Sequence, residues 1–91
     1  MDKRYRSVKE AVKNGAVRKS QNVLGTAGIS VLHFRPGDAK PVYYTYEIDW
    51  RDDTDWLKKV NRRFGNYKRR HNYASEAIVE VILWNGERRE K

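Results

Sequence analysis

Residues 52–71 read DDTDWLKKVNRRFGNYKRRH, and the rest of the chain arranges itself around this stretch. Asp52, Asp53, Thr54 and Asp55 offer N-cap side chains, and carboxylates are favoured beside the positive end of a helix dipole. The spacing predicts a helix that starts here and runs toward residue 70. At about 100° per residue, Trp56, Leu57, Val60, Phe64 and Tyr67 share an arc of about 100°. That is the width of a face packed on a core, and every basic residue of the stretch except Lys68 is expected on the opposite side. Gly65 costs up to about 1 kcal/mol relative to alanine, which makes it the point where the helix would kink or stop early.

Upstream, Ile29 to Arg35 is rich in β-branched and aromatic residues and reads as a strand. Pro36-Gly37-Asp38-Ala39-Lys40-Pro41 carries turn chemistry, so Val42 to Trp50 becomes the returning strand of a hairpin. Alternation puts Val42, Tyr44, Tyr46, Ile48 and Trp50 on its buried face and Tyr43, Thr45, Glu47 and Asp49 on the other. Nearer the N-terminus, Ser7-Val8-Lys9-Glu10 reads as a capping box that opens a short helix, which Asn14-Gly15 ends. Val17 to Leu24 has no decisive periodicity, and Gly25-Thr26-Ala27-Gly28 breaks whatever precedes it. Downstream, Ala77 to Trp84 is apolar on both alternating rows, the mark of a central strand. Asn85-Gly86 is expected to turn the chain, with Glu87 to Lys91 as an edge strand or a fraying end.

The expected order is α-β-β-α-β: an α+β fold with a small, antiparallel-rich, three-stranded sheet and helices packed on one face. The crossover through the long helix is expected to set the third strand beside the first. At 91 residues, two cores would each fall near the limit of about 40 residues for unaided folding, so residues 1–91 are read as one domain. The apolar share is only 38% against 35% charged, so the core is small and a dimer or bound partner would help to stabilise it. Cysteine is absent, which excludes disulfides, thiolate metal sites and a cysteine nucleophile. No apolar run of signal or membrane-spanning length is present, and a cytoplasmic protein is expected.

Net charge is +8 and it is clustered. Residues 57–71 carry Lys58, Lys59, Arg62, Arg63, Lys68, Arg69 and Arg70 and no acid, and Lys3, Arg4, Arg6, Arg18 and Lys19 concentrate in the first twenty residues. A merely solvated helix face interleaves Glu with Lys; a face without acids is an electrostatic footprint for a polyanion. Arginine forks and lysine point charges suit phosphate, and Tyr43, Tyr73 and Trp84 are the aromatic residues left free to stack on bases. These twelve cations are therefore the expected RNA-binding residues. RNA is favoured over DNA because the exposed helix face offers no set of base-reading amides beyond Asn66.

Catalytic chemistry finds little support. Asp49, Asp52, Asp53 and Asp55 are read as helix-start residues rather than as a magnesium site, His33 and His71 share no motif, and no cofactor fingerprint is present. Gly25-Thr26-Ala27-Gly28 spells the GxxG of a KH domain, but the segment after it reads as a strand where that loop needs a helix. A non-enzymatic binder is expected; a metal-independent endoribonuclease of the RelE type, a DNA-binding accessory protein and a membrane-surface binder are the competing readings. The short, cysteine-free, Lys/Arg-heavy chain, with aromatic strands and a basic helix from Lys58-Lys59 through Lys68-Arg69-Arg70, resembles small accessory proteins of T4-like phages, the TifA family among them. That resemblance implies a dimeric viral protein that inhibits the ToxN endoribonuclease toxin of a host defence system in an RNA-dependent way.

Overall fold

The computed structural model describes residues 3–22 and 26–86. The elements run α1 (Val8–Lys13), β1 (Val17–Asn22), β2 (Gly28–His33), β3 (Val42–Glu47), α2 (Trp56–His71) and β4 (Ile78–Gly86). Four strands, not the expected three, form a mixed sheet in the order β1-β4-β2-β3. The additional strand is Val17–Asn22, which pairs parallel with β4 from Val17 opposite Val81 to Asn22 opposite Gly86. Its side chains hide it: after Val17 come Arg18, Lys19, Ser20, Gln21 and Asn22, so only backbone pairing declares a strand. Lysine and arginine are also what protects a sheet edge from unwanted pairing.

The hairpin forms as expected, with Ile29 opposite Tyr46 and Val31 opposite Tyr44. β3 and β4 both run antiparallel to β2, hence parallel to each other, and α2 carries the chain across β2 between them. Asn85 and Gly86 do not turn the chain; they continue β4 along β1. The expected tail from Glu87 to Lys91 and the turn glycine Gly25 lie outside the described residues.

Both helices lie on one face of this sheet. Ser7 Oγ accepts from the Glu10 amide at 3.0 Å to start α1, and Gly15, at φ +80°, ends it in a conformation that a Cβ would strain. Val8 and Ala11 from α1, Ile29 and Val31 from β2, Val60 and Phe64 from α2, and Ile78, Val81 and Leu83 from β4 make the core. Tyr44, Tyr46, Ile48, Trp50, Trp56, Leu57 and Tyr67 pack around it half-buried, the apolar faces that alternation and the helical wheel assign. Ile78 is the exception. A register shift between Leu32 and His33 inserts a residue in β4, so Ile78 pairs with His33 and joins the helix-covered face.

α2 passes straight through Gly65. A Cβ added there would meet only Arg69 Nη1, at 3.8 Å, so nothing in the fold requires glycine. Gly65→Ala should therefore stabilise the protein by up to about 1 kcal/mol. For a domain of this size that is a rise of about 4–8 °C in the midpoint of thermal unfolding.

His33 is the one titratable side chain closed into the core among the described residues, fully buried and edge-on to Phe64 and Tyr67, with ring centroids 4.9 and 5.4 Å away. Neither ring nitrogen finds a partner of good hydrogen-bond geometry. Burial, reinforced by the charges of Arg35 and Lys68, lowers its pKa from the ordinary 6.5 against the opposing pull of the Phe34 backbone and Asp38. Below pH 6.5 the unfolded chain then binds more protons than the folded one, so stability is full above that pH and falls as pH drops toward the lowered folded value. Urea unfolding across this window should show that decline, at most about 1.4 kcal/mol per pH unit, and His33→Phe should flatten it.

Candidate nucleic-acid interface

The twelve expected cations do not form one surface. Arg6, Lys58, Arg62, Lys68 and Arg69 converge on a cleft of about 680 Å³ between the start of α1, the outer face of α2 and the loop after it. Ser7, Asn61, Asn72, Tyr73 and Ser75 complete its polar lining, while Val8, Phe64 and Gly65 contribute to its wall. Lys58, Arg62 and Arg69 follow one another along α2 because steps of three, four and seven residues return to the same side of a helix. Lys68 was the basic residue the wheel set apart, and the fold explains why. Its half-buried ammonium donates to the carbonyls of Arg6 and Ser75, which fastens the N-terminal segment and the α2–β4 loop onto α2. Burial and the neighbouring Arg69 charge lower its pKa.

Two further contacts shape the cleft. The Lys9 amide donates to Asn61 Oδ1 at 3.1 Å, joining α1 to α2. At the far end, Asn72 takes the left-handed conformation at φ 57° and the Tyr73 amide donates to the Lys68 carbonyl at 3.0 Å, so the loop folds back along the helix. Sequence reasoning did not find Ser7, Asn61, Asn72 or Ser75 as site residues. A short polar side chain reveals its place only once the elements around it are packed.

The other cations divide among separate surfaces. On the β3 side of α2, Lys59 pairs with Asp53 at 2.6 Å, Arg63 sits over the Tyr46 ring at 4.4 Å, and Arg70 is exposed in the last turn. Arg63 thus lies at the margin of the apolar face rather than opposite it. Arg4 caps the Phe34 ring at 4.0 Å, and Lys3 is exposed beside it in sequence. Arg18 and Lys19 lie on the edge strand β1 and alternate between its faces: Arg18, opposite Ile82, pairs with Glu80 at 3.0 Å on the face without helices, and Lys19, opposite Leu83, stands 5.5 Å from the Trp50 ring. Neither of the two lines the cleft.

Charge compensation separates a structural role from a binding one. Within the cleft only Arg6 meets a carboxylate among the described residues, Glu76 at 3.0 Å, and both of those side chains are well exposed. The cations of the last turn, Lys68, Arg69, Arg70 and His71, complement the negative end of the helix dipole. Lys58 does the reverse. It sits in the first turn, where no acidic residue is present, so the dipole and its basic neighbours both oppose it. Nor do the aspartates before α2 cap it as expected: Asp55 holds the N-cap position without a side-chain cap bond, while Asp53 accepts from the Asp55 amide at 2.9 Å and pairs with Lys59.

Of the three aromatic residues expected to stack on bases, Tyr73 is packed into a ring cluster, parallel to His71 at 5.2 Å and edge-on to Tyr67 at 5.3 Å. Tyr43 and Trp84 instead share the sheet face that the helices leave open. Among the described residues, no group of three or more His, Asp or Glu stands together as a candidate metal site, and no helix is long and apolar enough to cross a membrane. No family model matches the chain, and neither does any curated protein or solved structure compared with it.

Proposed function

We propose that this chain is a non-enzymatic RNA-binding protein of the cytoplasm that grips the phosphate backbone in the cleft of Arg6, Lys58, Arg62, Lys68 and Arg69. The observation that carries the reading is uncompensated charge: four of the five cations face the cleft without a carboxylate partner among the described residues. Such an arrangement costs folding free energy through mutual repulsion, and a polyanion removes that cost. Guanidinium groups supply bidentate contacts to phosphate, and Asn61, Asn72 and the serine hydroxyls supply neutral ones. Arg70, exposed in the last turn of α2, and Lys3 add to the positive field around this grip, whereas Lys59, Arg63 and Arg4 are engaged with Asp53, Tyr46 and Phe34.

The resemblance to toxin-inhibiting phage proteins supplies the biological setting of the proposal. The RNA-bound chain, as a homodimer, would occupy a host endoribonuclease toxin and suppress growth arrest during infection. β1 and β3 each leave one backbone edge unpaired among the described residues, and pairing of such an edge with a second copy is one way to enlarge a small core.

Size-exclusion chromatography with light scattering, on protein purified from cells with and without RNase treatment, tests this. The expected result is co-purified nucleic acid, seen as a raised ratio of absorbance at 260 nm to 280 nm, which RNase removes to leave a discrete dimer. A protein peak free of nucleic acid and unmoved by RNase would contradict it.

A further inference from the structure

The open face of the sheet carries a second site with different chemistry. Its floor is a ladder of three rows read from the strand pairing: Glu47, Gly28 and Trp84; Thr45, Ser30 and Ile82; Tyr43, Leu32 and Glu80. Gly28 brings no side chain to the first row, and a hollow opens between Trp84, whose indole leans across to the buried Ser30, on one side and Glu47 on the other. Adjacent strands lie about 4.8 Å apart, which puts those two residues roughly 10 Å from each other across the glycine. Thr26, Ala27, Gly28, Ser30, Tyr43, Thr45, Glu47 and Trp84 enclose about 320 Å³ here, within the range of about 300–1,000 Å³ usual for small-ligand sites.

The two aromatic walls are held differently. Trp84 is fixed: its indole Nε1–H donates to Ser30 Oγ at 2.7 Å, and Ser30 Oγ is bonded in turn to Thr45 Oγ1 at 2.8 Å. From the other side Trp50 Nε1–H donates to the Trp84 carbonyl at 2.9 Å. A half-buried indole anchored at its polar edge is a ready stacking surface, ordered before any ligand arrives. Tyr43 is the large apolar side chain most exposed among the described residues, at 56%, and it is available to close over a bound ring.

Glu47 decides which ring. It is exposed, and no ion pair or hydrogen bond engages its carboxylate among the described residues. A free acid in a basic RNA-binding protein repels phosphate, so it reads as a contact to a base edge. A carboxylate only accepts hydrogen bonds, and with two oxygens it matches two adjacent donors. Guanine presents that pair, N1–H beside the N2 amine. Adenine and cytosine each set a donor beside an acceptor on that edge, and uracil sets one donor between two acceptors. Resting on the RNA-binding reading above, we infer that this hollow is a pocket for a single unpaired guanine base of the bound RNA. The base stacks on Trp84, is covered by Tyr43 and is read by Glu47.

The test uses the full chain and short single-stranded RNAs of uridine with one central guanosine, adenosine or inosine, with affinity read by fluorescence anisotropy. The guanosine RNA should bind about tenfold more tightly than the adenosine RNA, with inosine, which lacks the N2 amine, between them. Glu47→Gln and Tyr43→Ala, both at exposed positions, should each narrow the difference between the guanosine and adenosine RNAs, the first by removing the carboxylate that accepts from two donors and the second by removing the ring that covers the base. Equal affinity for all three RNAs, or a preference that survives both substitutions, would overturn the pocket and leave the cleft intact. Failure to bind any of them overturns both. If the two substitutions instead separate a dimer without altering base preference, a second copy of the chain occupies this face and the inference is wrong.

Discussion

Replacing Arg62 and Arg69 together with glutamate should weaken RNA binding by about a hundredfold at physiological salt while leaving the fold intact. Both side chains line the cleft and are exposed, and neither pairs with a carboxylate among the described residues. Arg69 gives up one bond, to Asn66 Oδ1, at a solvated surface where such a contact is worth little. Each lost charge-assisted contact to phosphate is worth about 1.5 kcal/mol, and two of them together amount to roughly two powers of ten in affinity. Circular dichroism should be unchanged and thermal stability close to that of the native chain, because relief of repulsion with Lys58 and Lys68 offsets the loss of the Arg69 charge from the negative end of the helix dipole. Reversal of Arg18 and Lys19, which lie on β1 away from the cleft, is the matched control and should cost far less. Comparable losses from the two pairs would mean that overall charge, not the cleft, attracts the RNA.

Phe64→Ala should be the most destabilising single substitution in the chain. Phe64 is 1% exposed and its ring lies 4.9 Å from His33 and 5.6 Å from both Tyr44 and Tyr67, where it joins α2 to β2 and β3. Removing a buried phenyl ring costs about 3–5 kcal/mol once the cavity is counted, against a total of about 5–15 kcal/mol for an ordinary domain. With a core this small, the substitution should leave a large unfolded population at 37 °C, seen as a lowered midpoint in urea. Because Phe64 also backs the cleft, RNA binding should fall in step with the folded fraction and return with Phe64→Leu, which refills most of the volume. Binding that stayed at full strength in an unfolded Phe64→Ala chain would show that the RNA needs only a basic peptide and not the cleft.

The parts of the fold legible in the sequence are those whose side chains repeat. The arc from Trp56 to Tyr67, the alternation from Val42 to Trp50 and the capping pair Ser7 and Glu10 each reflect a local period or a local hydrogen bond, and each is found. β1 was invisible because an edge strand with Arg18, Lys19, Ser20 and Gln21 carries no apolar row. The extra residue in β4, which turns Ile78 inward, depends on pairing with Leu32 and His33, some 45 positions away by sequence number. The same division holds for the site. Clustering of Lys58, Arg62 and Arg69 follows from helical geometry, whereas the placing of Arg18 and Lys19 outside the cleft, on opposite faces of β1, follows from a strand that local pattern did not reveal. That Lys59 is neutralised by Asp53 and that Arg63 rests on Tyr46 are tertiary facts; a helical wheel shows neither.

The uncompensated cations of the cleft also set the slope with which binding responds to salt, and that slope measures the account most directly. For a single-stranded nucleic acid, log K falls against log salt with a slope of about −0.7 for each phosphate neutralised. Four or five phosphates in the cleft correspond to a slope of about −3 for the native chain, and Arg62→Glu with Arg69→Glu should reduce its magnitude by at least about 1.4. Anisotropy titrations of one short RNA across a series of salt concentrations give both slopes. A shallow slope for the native chain, or identical slopes for the two proteins, would contradict the claim that this protein holds RNA by the phosphates in the α2 cleft.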